Sequence, residues 1–428
     1  MTLNGSDPEH SRPHIAAQTA FGEPAAAVVE DVDAPAAAAP DLRRYIAYRL
    51  VSNVALTNAI WVIFLHERGL SLAQIGLAEA AFHLAPVTLE LPTGSMADTF
   101  GRKWSLAMGG VMSAIAAILM LGVNGIWLAL PAMYFSGAAM TFASGAQEAF
   151  LYDSMAAGNA SDRFTAMFGR LLSMAFLIIG ITAWLGATLA EISFAIPYAL
   201  AAGFGLLTAW IALGLKEPAR EPPEHRSVIR TIREALGIVR GRTGLAALIG
   251  FGALYWTSVT LIELYAQAVL FEMGLTTSLI GLIIGGSFAL VAAGAWVADR
   301  VTSRGTFRRW TVGLALLTAL GAVALGSKVL LFALVVYVIF EFGTGLYEPL
   351  LAARVNRDLG PNQRATILSL QGFLFSLTMI WAFPLVGWIA GNAGWLVAFG
   401  CVAVALIMAL AVWLWSGERS FVAGSASL

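Results

Sequence analysis

Hydrophobic residues run through this chain in long unbroken stretches, with the charges gathered between them. From Arg43 onward the stretches cover 44–66, 73–97, 104–123, 126–151, 164–190, 193–215, 243–270, 277–299, 309–327, 329–352, 364–391 and 393–415. A helix crossing a hydrocarbon core of about 30 Å needs about twenty residues, and these stretches have that length. The pattern predicts an all-α membrane protein of twelve transmembrane helices, spans one to twelve, in two pseudo-symmetric six-helix bundles. The first bundle occupies 43–215 and the second 243–415, with a polar connector at 216–242. In the connector Val228, Ile232, Leu236 and Val239 recur at helical spacing among Arg230, Arg233 and Arg240. That arrangement predicts a basic amphipathic helix lying on a membrane face. Residues 1–42 are rich in Ala, Pro, Asp and Glu and lack the basic start and apolar core of a signal peptide. They read as a disordered cytoplasmic tail, and 416–428 as a second one.

Composition narrows the classes of function. Of 428 residues, 59% are hydrophobic and 12% charged, with a mean hydropathy of +0.78. A soluble domain carries about 25% charged residues, so a water-facing fold of this length is excluded. The balance of 25 basic against 26 acidic residues offers no basic excess for a nucleic acid. The single cysteine, Cys401, lies in an apolar stretch, which leaves no disulfide framework and no thiolate metal site. Neither a nucleophile–base arrangement nor a Walker-type phosphate loop is present, so enzyme activity and ATP-driven transport find no support.

The basic residues set the orientation. Arg43, Arg44, Arg102, Lys103, Arg163, Lys216, Arg300, Arg308, Arg309, Arg354 and Arg364 fall on one side of the predicted spans, Arg68 and Lys328 on the other. This asymmetry predicts a multi-pass protein of a bacterial inner (plasma) membrane with both termini in the cytoplasm. The halves also echo one another: Gly145-Ala-Gln-Glu148-Ala-Phe-Leu151 parallels Gly345-Leu-Tyr-Glu348-Pro-Leu-Leu351, and Gly94 to Asp98 has a weaker counterpart in Ala295 to Asp299. Two parallel six-helix repeats place a substrate site between them.

The most specific segment is Gly94-Ser-Met-Ala-Asp98-Thr-Phe-Gly101-Arg102-Lys103, between spans two and three. Its glycines allow a tight turn and close helix packing, Asp98 can meet a helix N-terminus, and Arg102 and Lys103 stay on the cytoplasmic side. The segment resembles the signature Gly-x-x-x-Asp-x-x-Gly-Arg-Arg/Lys motif of the major facilitator superfamily, and the resemblance extends over residues 43–415. It implies that Asp98 docks on the N-terminus of span eleven to latch an outward-facing state. It also implies that Arg102 pairs with an acid at the cytoplasmic end of span four, where Asp153 stands. Gly94, Asp98, Gly101, Arg102, Lys103 and Asp153 would then form the conformational switch. The second-half copy, Asp299-Arg300 with Arg304-Gly305, departs from the motif. Glu90-Leu-Pro92-Thr93-Gly94 is similar to a run found in a smaller branch. The Gly-x-x-x-Gly-Pro motif of exporter branches is not reproduced in span five, where Gly180-Ile-Thr-Ala-Trp-Leu-Gly186 stands.

An ionised carboxylate at mid-bilayer costs about 2.5–3.5 kcal/mol on insertion scales, so ionisable residues inside spans are expected to face a cavity or a partner. Glu79, His83 and Glu90 share one face of span two, within about 40° of Glu79. Glu79 falls toward the outer end, where a rim position would leave it solvated. His83, with no second His or Cys nearby, reads as a helix contact and not a metal ligand. Gln147 and Glu148 lie in span four. Glu148 reads equally as a coupling group or as the ion-pair partner of Arg170 or Arg49, and Glu348 as the partner of Arg354 or Arg49. Span seven carries Glu263 and Gln267 above Tyr255 and Trp256. Span ten carries Tyr337, Glu341 and Glu348 close to one stripe. Asn53 and Trp61 in span one, and Gln371 in span eleven, complete the candidates for coupling or substrate contact. Trp61, Trp184 and Trp256 read as interface anchors or cavity walls.

Glu90 and Glu263 stand out because each falls well inside a span with no basic neighbour at helical spacing. A carboxylate so placed can take up and release a proton as a cavity opens and closes. The expected function is proton-coupled efflux of a small organic molecule, a drug or metabolite, by alternating access. The energy source is the proton gradient, with no cofactor; the partners are the substrate and the lipid bilayer, and the expected state is a monomer. Two alternatives stand beside it: a proton symporter importing a nutrient or organic anion on Arg49 and Arg170, and a non-transporting membrane sensor using the tail and connector.

Overall fold

The computed structural model describes residues 39–157, 163–217, 237, 239–240, 243–302, 306–358 and 361–416. Nearly all of the N-terminal tail, of the C-terminal tail and of the expected amphipathic helix of the connector lies outside the described residues, as do the side chains of Asp98 and Asp299.

Fourteen helices are present among the described residues. The first bundle holds α1 (Ala39–Ser52), α2 (Trp61–Glu67), α3 (Leu72–Phe100), α4 (Arg102–Leu121), α5 (Ile126–Ala143), α6 (Ala146–Ala157), α7 (Phe164–Ala190) and α8 (Ala195–Leu213). The second holds α9 (Thr243–Glu272), α10 (Thr277–Thr302), α11 (Phe307–Gly326), α12 (Leu330–Asp358), α13 (Pro361–Ala393) and α14 (Trp395–Ser416). Eleven segments are long and apolar enough to cross a membrane, α5 and α6 counting together as one. The twelve-span expectation is met by these and by span one, which is divided between α1 and α2. The end of the bundles that carries the start of α1 and the end of α14 is here the basic face, and the opposite end the far face.

Two expected spans are not continuous. Span four, expected over 126–151, breaks at Ser144 and Gly145, where Gly145 takes φ +45°, a left-handed conformation that favours glycine. Span one, expected over 44–66, breaks between Ser52 and Trp61 without a proline or glycine. Backbone freed from a helix inside a membrane must find partners within the protein, and here it finds them on distant helices. The Ala55 N–H donates to the Thr182 hydroxyl (2.9 Å) on α7. The Val62 N–H donates to Gln267 Oε1 (3.2 Å), and Gln267 Nε2 donates to the Asn58 carbonyl (2.9 Å), both from α9. Gly186 on α7 leaves room for the Leu56 backbone, which a Cβ at that position would strike. Gly186→Val is therefore expected to push the broken segment off α7 and destabilise the protein by about 1–3 kcal/mol, read as a lower thermal midpoint in detergent.

Packing within each bundle follows from small residues four apart. Gly110 and Ala114 on α4 face Gly205 and Ala209 on α8 at backbone contact, the close approach that small side chains permit in lipid. The two bundles meet along α3 against α13 and α7 against α10. Between described residues, the hydrogen bonds and ring contacts crossing this seam run from the far face to mid-height. They include Tyr265 Oη donating to the Leu72 carbonyl (3.4 Å), Trp61 against Phe383 (6.3 Å between centroids), His83 against Phe375 (5.3 Å) and Phe176 against Phe288 (6.2 Å). The protein is closed at its far face.

Candidate functional site

Three helices carry ionisable or phenolic groups to one depth. By helical rise, Glu263 lies about 14 Å and Glu341 about 17 Å below the far ends of α9 and α12, while Glu79 and His83 lie about 11 and 17 Å below that of α3. This is a layer near the middle of the membrane.

The second bundle supplies the acidic part. Glu341 is 0% exposed, and neither of its carboxylate oxygens has a hydrogen-bond partner. The Tyr337 hydroxyl one turn away lies beside it, also buried, with Ser287 nearby. Glu263, half-buried on α9, is the electrostatic neighbour of Glu341. Toward the basic face the rings of Tyr255 and Tyr347 stack at 3.9 Å between centroids, and Trp256 meets Tyr347 edge-on at 5.9 Å. Gly252 leaves space there for the Gln371 amide and the Tyr347 hydroxyl, the latter buried and unpartnered. The result is two neighbouring carboxylates over an aromatic floor, with unused phenolic hydroxyls at both levels.

The first bundle supplies a carboxylate–imidazole pair. His83 Nε2 lies 3.4 Å from Glu79 Oε1, one helical turn apart, and both side chains are buried. Phe82 and Phe375 stand edge-on to the imidazole, whose Nδ1 has no partner. The rim position expected for Glu79 is thus corrected: the outer ends of α3 and α13 pack closely enough to enclose it. Glu90, on the same helix, was expected to be enclosed and is instead exposed, because α3 leaves the sealed part of the seam before reaching it.

Other candidates take different places. Gln267 is 1% exposed and spends both ends of its amide on the α1–α2 break, so it holds backbone and has no free group for a substrate. Trp61, 9% exposed, is neither an interface anchor nor a cavity wall; it is buried in the seam. Trp184 is 39% exposed on α7. Asn53 donates to the Arg49 carbonyl (2.6 Å) at the end of α1. The expected ion pairs of Glu148 are not formed among the described residues. Glu148 and Arg170 are exposed, and Arg49 donates to Gln147 Oε1. Glu348 is exposed, while the Arg354 guanidinium lies over the Phe307 ring at 5.8 Å. Glu90, Glu148 and Glu348 therefore present exposed carboxylates below the closed seam.

At the basic face Arg102 donates to the Asp153 carboxylate and to the Ala149 carbonyl, joining α4 to α6. A residue that sequence reasoning passed over completes this junction. Glu217, just beyond α8, accepts the backbone N–H of Arg102 (2.6 Å) and of Lys103 (3.0 Å). It caps a helix whose first two side chains are cationic, a poor match for the helix dipole without an added carboxylate. The only signal in the sequence was an acid placed just after an apolar span.

Similarity to known proteins agrees with this architecture. Residues 45–383 match the Major Facilitator Superfamily. A curated relative, the uncharacterized MFS-type transporter YxaM of Bacillus subtilis (strain 168), is 27% identical over 248 residues, 56% of this chain and 61% of that protein. Among solved structures, a mutant of the nucleoside transporter NupG superposes with a TM-score of 0.72 at 12% identity, covering 88% of this chain and 98% of that one. A bacterial homolog of the human lysosomal transporter Spinster, in an inward-facing and unoccupied conformation, gives 0.67 at 15% identity, covering 89% and 97%. At these identities the structures speak for the fold alone. The sequence match over most of the chain carries the assignment: this protein belongs to the Major Facilitator Superfamily, and is a multi-pass membrane transporter and not an enzyme.

Proposed function

We propose that this transporter exports a small organic cation from the cytoplasm of a bacterium in exchange for protons, with its basic face and both termini in the cytoplasm. The observation that carries the reading is Glu341, a fully enclosed carboxylate with no hydrogen bond on either oxygen and Glu263 as its neighbour. Two neighbouring carboxylates in one enclosed layer are groups for which a proton and a cation can compete. A cation arriving from the basic face meets Glu90, Glu148 and Glu348 first, then the Tyr255, Trp256 and Tyr347 rings, whose faces attract positive charge. Beside Glu263 it supplies the charge that a proton otherwise supplies, and the displaced proton leaves to the cytoplasm. After the bundles rock, protons from the other side release the cation in turn.

One proton exchanged for one monovalent cation moves no net charge, so the pH gradient alone drives the cycle, at about 1.4 kcal/mol per pH unit. The importer of an organic anion would rest on Arg49 and Arg170, of which Arg49 already donates one hydrogen bond to Gln147. The test uses proteoliposomes with an acid lumen and a fluorescent quaternary cation, which protonation cannot trap. The cation is expected to accumulate in the acid lumen and to leave when an ionophore collapses the gradient. Accumulation in an alkaline lumen instead, or none that depends on the gradient across a panel of quaternary cations, rejects the proposal.

A further inference from the structure

The far face is held shut along α7 and α10 by a contact that the transport reading leaves unused. Backbones approach closely where Gly180 meets Gly285. Nearer the far end, the Thr188 and Ser278 hydroxyls lie 3.0 Å apart. At the end itself, the Ser278 N–H donates to Glu191 Oε1 at 3.0 Å. Ser278 is the second residue of α10, and the N–H of the third position, Leu279, is taken by the Thr276 hydroxyl (3.3 Å) of the same chain segment. The first turn of α10 thus draws one acceptor from its own cap and another from the opposite bundle. Among the described residues, Glu191 is the one charged acceptor in the hydrogen bonds that cross the seam, and it bears on the positive end of a helix dipole. It is also exposed, so water can take its place when the contact parts.

We propose that Glu191 is a positioning residue of the transport cycle: its carboxylate on the N-terminus of α10 latches the far face, and opening there requires its release. A charge-assisted hydrogen bond that water can replace suits this role, since it biases the closed state without fixing it. The inference rests on alternating access and not on proton coupling.

The test reads the distance between bundles directly. Asn124→Cys and Val329→Cys place spin labels on exposed far-face loops of the first and second bundle, in the full chain carrying Cys401→Ser. Without substrate or pH gradient, the parent is expected to show one short distance. Glu191→Ala is expected to raise the long-distance population about 5–30-fold, and Glu191→Gln, which keeps an oxygen acceptor, to fall between. Ser278→Pro removes the donor from the other side, together with the Thr188 contact, and should give at least the same shift, with Glu191→Ala adding nothing on top. An unchanged distribution in Glu191→Ala overturns the proposal, and so do full, additive shifts from the two variants. Because no gradient is applied, either result stands whatever the coupling ion proves to be.

Discussion

Replacing Glu341 by Gln is expected to reduce pH-gradient-driven transport to background while leaving a folded and more heat-resistant protein. The two outcomes come from one cause. Glu341 is enclosed, and both of its oxygens lack partners, an arrangement that costs stability and persists where function requires it. Gln keeps the shape and removes one of the two titratable groups, so the exchange of proton for cation loses its enclosed carboxylate, and the buried ionisable group is no longer a burden. Binding of a quaternary cation should survive, because Glu263, the less enclosed of the two carboxylates, stays in place. Glu263→Gln is expected to do the reverse and weaken cation binding first. Transport by Glu341→Gln at the parental rate under a pH gradient, measured in proteoliposomes, rejects this division between the two residues.

The largest effect on stability is expected from Gln267→Leu. The leucine fits the seam in volume but serves neither the Asn58 carbonyl nor the Val62 N–H. Each buried backbone group left unpaired costs about 1–3 kcal/mol, so the loss is about 2–6 kcal/mol, and larger than that of Gly186→Val. Gln267→Glu should fall between, since its protonated form still accepts from Val62 and offers a single O–H to Asn58. Thermal unfolding in detergent measures the series. A midpoint for Gln267→Leu within a degree of the parent would show that the break in span one does not depend on this side chain.

Both predictions concern features of unequal visibility in the sequence. The spans were plain because hydropathy over twenty residues is a local property; α7 begins and ends at the expected 164 and 190. The stripe of Glu79 and His83 was also plain, since a spacing of four puts two side chains on one face. The broken span one was not. Its cause lies in Thr182 and Gln267, far away along the chain, and the segment between Ser52 and Trp61 has no proline or glycine to announce it. For the same reason the stripe on α12 pointed to Glu341, but its meeting with Glu263 depended on how α9 and α12 lie together. Gly180 and Gly186 were read against a motif that they fail to match, whereas each serves a close backbone approach, to Gly285 and to Leu56. Exposure was the least legible property: the chain does not say where α3 leaves the seam, and so Glu79 and Glu90 exchanged their expected environments.

The divided span one also bears on how the chain is made. Neither α1, at 14 residues, nor α2, at 7, reaches across a hydrocarbon core of about 30 Å. When this segment leaves the ribosome, the groups that will pair its open backbone have not been synthesised: Thr182 arrives with the fifth span and Gln267 with the seventh. The first segment to enter the bilayer is therefore among the last to settle, and the first half of the chain expressed alone would lack the amide that completes it.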